Sequence, residues 1–184
     1  MKKIAFLGAL LACSAVPSVA HAKVYGELHS GIDHVSVGGL SDDGFSYGGA
    51  LGYEHKIGKQ AFAAIELTFD SSTSELCDPN LVFVGDNGCM KSRGDSSFVA
   101  KLGTRLSDKT EVYVLGGSAY REFRYINSGT TPFTDRLGFD GWRAGAGVKL
   151  KLSDKMFAKA EYRYSNYEAD FTSSNALVAL GTHF

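Results

Sequence analysis

The chain has no excess of either charge: 19 Lys and Arg stand against 20 Asp and Glu, a formal charge of −1. That balance speaks against a nucleic-acid binder, which would carry a basic surplus. Beyond the N-terminal segment no run approaches 18 consecutive apolar residues, and the mean hydropathy is −0.08, so no membrane-spanning helix is encoded there. Proline is scarce, at three residues, and cysteine is equally rare. Long polar, low-aromatic tracts of the kind that stay disordered are missing too, since 44% of the residues are hydrophobic and 12% aromatic. What is abundant is glycine, 22 of 184 residues, in a length that suits one domain. Glycine with tyrosine and phenylalanine points to an all-β chain.

The N-terminus reads as an address. Lys2 and Lys3 precede an apolar run from Ile4 to Ala12, followed by Pro17 and the small-residue site Ala20-His21-Ala22. A basic start, a short apolar middle and an A-x-A site make a secretory signal peptide, with cleavage expected after Ala22. Leu10-Leu11-Ala12-Cys13 loosely resembles a lipobox, which makes lipoprotein processing at Cys13 the rival reading. Residues 1–22 are thus expected to be a signal peptide and 23–184 the mature domain. That domain keeps 17 Lys and Arg against 20 acids, a charge of −3.

Alternation with period two runs through most of the mature chain. Phe45, Tyr47, Leu51, Tyr53 and Ile57 alternate with Ser46, Gly48, Ala50, Gly52, Glu54 and Lys56. The same pattern recurs over 61–70, 97–106, 142–152, 156–165 and 175–184, more weakly over 24–37. Over 111–125 it does not reveal which face is which. This predicts eight strands. A half-buried sandwich or a soluble lipocalin-like barrel would also alternate. Two features favour a membrane barrel. The strands reach about ten residues or more, enough to cross a bilayer at a tilt. The polar set also mixes Gly and Ala with Lys, Arg and Glu, as a narrow lumen requires. Trp142, Phe45 and Tyr47 at one end of the apolar face, and Phe184 at the other, match aromatic girdles. The expected architecture is an all-β, eight-stranded antiparallel up-and-down transmembrane β-barrel in the outer membrane of a Gram-negative cell.

Three tight turns punctuate the pattern: Gly58-Lys59-Gln60, Ser107-Asp108-Lys109 and Ser153-Asp154-Lys155. Between them, loops are expected near 38–44, 71–96, 126–140 and 166–174, facing outward, with both termini on the turn side. Cys77 and Cys89 fall in the second loop. In an oxidising periplasm they should pair, a closure worth about 3 kcal/mol in the chain-entropy model. Two cysteines supply too few ligands for a metal site.

Glu161-Tyr162-Arg163-Tyr164-Ser165-Asn166-Tyr167 and the closing Ala179-Leu180-Gly181-Thr182-His183-Phe184, with the leader and the strand rhythm, resemble the small outer-membrane β-barrels of the OmpA-transmembrane, OmpX and opacity type. The resemblance implies that Phe184 ends a strand read by the barrel-assembly machinery, and that outward loops serve adhesion or envelope protection. Outer-membrane lipid and lipopolysaccharide are the implied surroundings, with an extracellular ligand as a further partner of the loops; no cofactor is implied.

The inward set places Glu27, Glu54, Glu66 and Glu161 opposite Lys101, Arg105, Arg143, Lys149, Lys159 and Arg163. Unpaired charges in a lumen are costly, so they are expected to form a closed, salt-bridged network. The alternative is a narrow porin-like passive channel. A lipid-modifying barrel enzyme is the third class: a lipid A deacylase carries histidine before Tyr-Ser-Asn, where this chain has Arg163. Arginine does not give up its proton and cannot serve as a general base. No catalytic constellation is evident, and the chain is read as non-enzymatic.

Overall fold

The computed structural model describes residues 22–78, 88–128 and 132–184; the proposed leader falls outside the described residues except for Ala22. Among the described residues nine strands form: β1 (Ala22–Val37), β2 (Leu40–Ile57), β3 (Ala61–Ser72), β4 (Glu75–Asp78), β5 (Gly88–Arg105), β6 (Thr110–Asn127), β7 (Phe133–Lys151), β8 (Met156–Tyr167) and β9 (Thr172–His183). All neighbours are antiparallel, β1 pairs with β9, and β3 pairs with β5 to shut the cylinder. Eight strands are staves of the barrel. The ninth, β4, is a four-residue extension pairing with β5 beyond the end of β3.

The predicted alternation sets the faces. Leu28, Ile32, Leu51, Phe69, Leu102 and Val178 all point outward, Leu28 with 76% of its surface exposed. Phe45 stacks on Tyr47 at 6.2 Å and Trp142 meets Tyr164 at 5.7 Å, at the end of this belt remote from the three tight turns. Phe184 marks the turn end; its backbone N–H donates to Val24 O at 2.9 Å. In β6 the odd positions are inward. Tyr113, Leu115, Ala119, Phe123 and Tyr125 are buried while Val114 and Tyr120 are exposed. Both faces of β6 carry apolar residues, which is why its sequence could not orient it.

Two repeated turns have one chemistry. Ser107 Oγ accepts the N–H groups of Lys109 (3.3 Å) and Thr110 (3.1 Å), and Ser153 Oγ accepts those of Lys155 (3.4 Å) and Met156 (3.0 Å). A serine hydroxyl thus replaces a strand partner for the amides that round the corner.

The expected loops are corrected by the structure. Residues 38–44 are not a loop: β1 and β2 meet through Gly38 and Gly39, both at positive φ (58° and 89°), which a two-residue hairpin turn needs. Strand pairing also continues through much of 71–96, 126–140 and 166–174. The physical reason is a reversal of polarity. Beyond the aromatic girdle the outer face meets water, so the apolar set turns inward. Val35, Leu76, Met90, Phe123, Tyr125 and Phe171 are buried together there, while Lys91, Arg93 and Arg124 face out.

Glycines at the turn end have a specific role. Tyr25 faces Gly52, Phe62 faces Gly103, Tyr113 faces Gly147 and Phe157 faces Gly181 at directly opposed register positions. A Cβ on Gly52 would lie 2.2 Å from Tyr25 Cζ, and one on Gly181 2.2 Å from Phe157 Cζ. At these four positions it is aromatic rings, rather than charged side chains, that occupy the space glycine leaves. Gly181→Val should therefore destabilise the barrel by about 1–3 kcal/mol or more through overpacking. Combined with Phe157→Ala it should cost less than the two single changes summed, read from urea titrations in phospholipid vesicles.

Candidate functional site

The lumen is filled in layers. Nearest the turns, Lys149 Nζ pairs with Glu54 and, at 2.7 Å, with Glu111, while Arg105 reaches Glu111 at 3.3 Å. Above the four aromatic rings lies the central cluster. Lys101 Nζ donates to Glu66 Oε2 (2.7 Å) and Glu161 Oε2 (3.0 Å). Lys159 pairs with Glu27 and approaches Glu161 at 3.4 Å. Arg163 pairs with Glu161 and, at 3.0 Å, with Asp70. Two hydroxyls complete the carboxylates: Tyr25 OH donates to Glu66 at 2.7 Å and Tyr113 OH to Glu161 at 2.5 Å.

The next layer is built on Asp95, which accepts from Arg143 Nη2 at 2.7 and 2.8 Å and from Tyr167 OH at 2.5 Å. Ser165 and Ser97 accept the remaining Arg143 donors. His29 lies between Asp70 (2.5 Å) and Glu27 (3.5 Å). Higher still, Arg121 pairs with Asp33, which also accepts from Ser173 at 2.6 Å. The apolar cap of Val35, Phe123, Tyr125 and Phe171 closes the top.

The structure thus brings together Glu27, Glu66, Lys101, Lys159, Glu161 and Arg163 in one cluster. Arg143 stands in the adjoining layer, and Glu54, Lys149 and Arg105 stand at the turn end, where Arg105 is a third exposed. Sequence reasoning missed His29, Asp33, Asp70, Asp95, Arg121 and Glu111. Asp95 fell inside the expected second loop, Arg121 and Glu111 on the strand of undecided face, and His29 and Asp33 in the weakly alternating first strand. Asp70 stood in the correct alternating set, and that register was the signal available.

In this arrangement the charged side chains serve as one another's partners. Ser165, two residues after Arg163 in the string compared with the deacylase, accepts from Arg143 inside the lumen. Two voids among the charges are about 10 Å³ each, room for a water molecule and no more.

Cys77 and Cys89 are joined across the β4–β5 pair, at opposed register positions with Cα atoms 4.1 Å apart.

On the outer surface, past the girdle, a second constellation forms. Lys91 on β5 is directly opposite Arg124 on β6, and Arg124 directly opposite Arg136 on β7, all exposed. Lys91 pairs with Glu75 at 3.0 Å, and the neighbouring Arg93 pairs with Glu122 at 3.2 Å. Among the described residues neither Arg124 nor Arg136 has a carboxylate partner.

Residues 4–184 match the family model described as outer membrane protein beta-barrel domain. The chain belongs to that family. It is 39% identical over 44 residues to the 25 kDa outer-membrane immunogenic protein of Brucella ovis, a stretch that spans 24% of this chain and only 22% of that relative. Its fold is similar to Ail, the attachment invasion locus protein of Yersinia pestis, solved in complex with the heparin analogue sucrose octasulfate. That match has a TM-score of 0.65 at 15% identity, covering 89% of this chain and 99% of Ail. Neisserial surface protein A is similar at a TM-score of 0.56 and 14% identity, over 89% of this chain and 99% of that one. The N-terminal barrel of Pseudomonas aeruginosa OprF matches at 0.52 and 18%, over 87% and 97%. At such identities the likeness establishes the fold. The protein is an outer-membrane barrel.

Glu161 is the hub of the central cluster, touching Lys101, Lys159, Arg163 and Tyr113. Glu161→Gln should lower unfolding free energy by about 3–5 kcal/mol, because it strands buried cations. Arg105→Gln, at the hydrated mouth, should cost no more than about 1 kcal/mol. Urea unfolding in phospholipid vesicles measures both.

Proposed function

We propose that this protein is a closed surface-contact barrel: a salt-bridged body anchored in the outer membrane that holds an extracellular ledge against anionic saccharide groups, the phosphates of lipopolysaccharide first among them. The observation that carries the reading is the Lys91–Arg124–Arg136 row. Like charges at directly opposed strand positions destabilise a sheet, with Cβ atoms about 4.5–5.5 Å apart. Lys91 is balanced by Glu75, but Arg124 and Arg136 have no carboxylate partner among the described residues, so counter-charge from outside the chain would favour this row. Arg124 stands six residues beyond Ser118, the register partner of the girdle residue Trp142, about 15 Å higher along a tilted strand. That is the level of phosphorylated and sulfated sugars rather than of acyl chains. Two adjacent guanidinium groups suit the bidentate geometry of phosphate or sulfate oxygens. The sulfated heparin analogue bound to Ail is of the same chemical class.

In this reading the tight turns face the periplasm and the extended end stands outside the cell. Residues 1–22 are a signal peptide removed after Ala22, Phe184 is the residue offered to the barrel-assembly machinery, and the barrel performs no catalysis. The apolar cap and the ion-paired lumen argue for a plug rather than a channel.

Arg124→Gln/Arg136→Gln should reduce retention on immobilised lipopolysaccharide and on heparin by about tenfold at physiological salt, equivalent to about 1.4 kcal/mol. Wild-type retention should fall steeply as salt rises. Unchanged retention in the double variant would refute the ledge. In planar bilayers the purified protein should give no discrete channel openings; reproducible ones would refute the closed body.

A further inference from the structure

At the opposite end of the molecule the lumen opens into a cavity of about 350 Å³ between the periplasmic turns. Its wall carries six cations, Lys23, Lys56, Arg105, Lys109, Lys149 and Lys151, against four acids, Glu54, Asp108, Glu111 and Asp154. Ion pairing absorbs three of the cations. Lys149 is held by Glu54 and Glu111, Arg105 by Glu111, and Lys151 by Asp154 at 3.0 Å. Lys23, Lys56 and Lys109 remain in no ion pair among the described residues, and Asp108 is the sole uncommitted acid of the wall. The mouth therefore presents a positive surplus.

Two further features make this a receptacle rather than a charged rim. Tyr25, Phe62, Tyr113 and Phe157 surround a void of about 10 Å³ above it, so the cavity ends against a layer of packed rings. His183 lines the wall between the rings of Phe157 (5.0 Å) and Tyr25 (6.0 Å), which makes that side of the cup aromatic. The volume matches the lower range of small-molecule sites.

We propose that this cup binds a small organic anion bearing two or more negative charges, a polycarboxylate or an organic phosphate, from the periplasmic side. Lys23, Lys56 and Lys109 supply the attraction, and the rings of Phe157 and His183 the apolar wall, with Met156 at its rim. The proposal is independent of the outer ledge, which lies at the other end of the barrel.

The methionines give position-specific reporters. Met156 lines the cup, whereas Met90 is buried in the extracellular cap. Protein labelled with 13C at its methionine methyls, extracted from outer membranes into a zwitterionic detergent, is titrated with citrate and, separately, with pyrophosphate. The expected result is a saturable shift of the Met156 methyl by at least one of the two, with Met90 unmoved; which of them saturates assigns carboxylate or phosphate. Lys56→Gln/Lys109→Gln should weaken that affinity by about tenfold or more while keeping the heat-modifiable migration of the folded barrel. Four outcomes would overturn the proposal: no saturation of Met156 below about 10 mM of either probe, an equal shift from acetate at matched ionic strength, an unchanged affinity in the double variant, or movement of Met90 alone.

Discussion

A hydrocarbon environment offers a peptide group no hydrogen-bond partner, and this structure follows from that constraint. Each unpaired N–H or C=O in lipid costs several kcal/mol, so strands can cross only if the sheet has no edge. The pairings of β1 with β9 and of β3 with β5 remove both edges. Closure then dictates the inventory of the lumen. Eight strands leave an interior just wide enough for side chains. Whatever points inward must pack against its neighbours, and the rings lying over Gly52, Gly103, Gly147 and Gly181 show how tight that fit is.

The solvent outside changes along the barrel axis, and the alternation changes with it. Within the bilayer the outer set is apolar and the inner set ionic. Beyond the Trp142–Tyr164 pair the inner set is Val35, Met90, Phe123, Tyr125 and Phe171, and the outer set is cationic and acidic. One sheet therefore serves two environments without interruption. Ionic matter fills the part wrapped in lipid, and apolar matter fills the part wrapped in water. The apolar cap gives the exposed ribbon a core of its own, so the strands can run past the membrane as paired structure that presents the row from Lys91 to Arg136 on a rigid surface. The central carboxylates and cations, by contrast, face one another across the lumen and are held in ion pairs with each other.

Legibility tracked this inversion. Eight strands, their lipid-facing residues, the three tight turns and the central charges from Glu27 to Arg163 could be read from period-two alternation, because that pattern is local and one face is uniformly apolar. Where the polarity reversed, the same alternation read as loop, and Asp95 and the true ends of β5 and β7 were lost with it. Phe123 and Tyr125 look like lipid-facing residues by type and are buried. Gly38-Gly39 is a hairpin signal by composition, yet the acidic residues after it, Asp42 and Asp43, disguised a continuing strand. Asp43 is in fact paired to His34 across that hairpin at 2.6 Å.

The amino-acid order alone determined the eight staves of the barrel, the outward belt, the tight turns at the repeated Ser-Asp-Lys and the presence of balanced charge inside, since each depends on neighbours one to four residues away. Which charge meets which was decided only by closure and register. Lys159 finds Glu27 from 132 residues away, and Arg121 finds Asp33 from 88. The two surfaces to which we assign contacts, the outer basic row and the periplasmic cup, are likewise products of tertiary structure. Their residues lie on separate strands and turns, and nothing in the linear spacing of Lys91, Arg124 and Arg136, or of Lys23, Lys56 and Lys109, sets them side by side until the sheet has curled and closed.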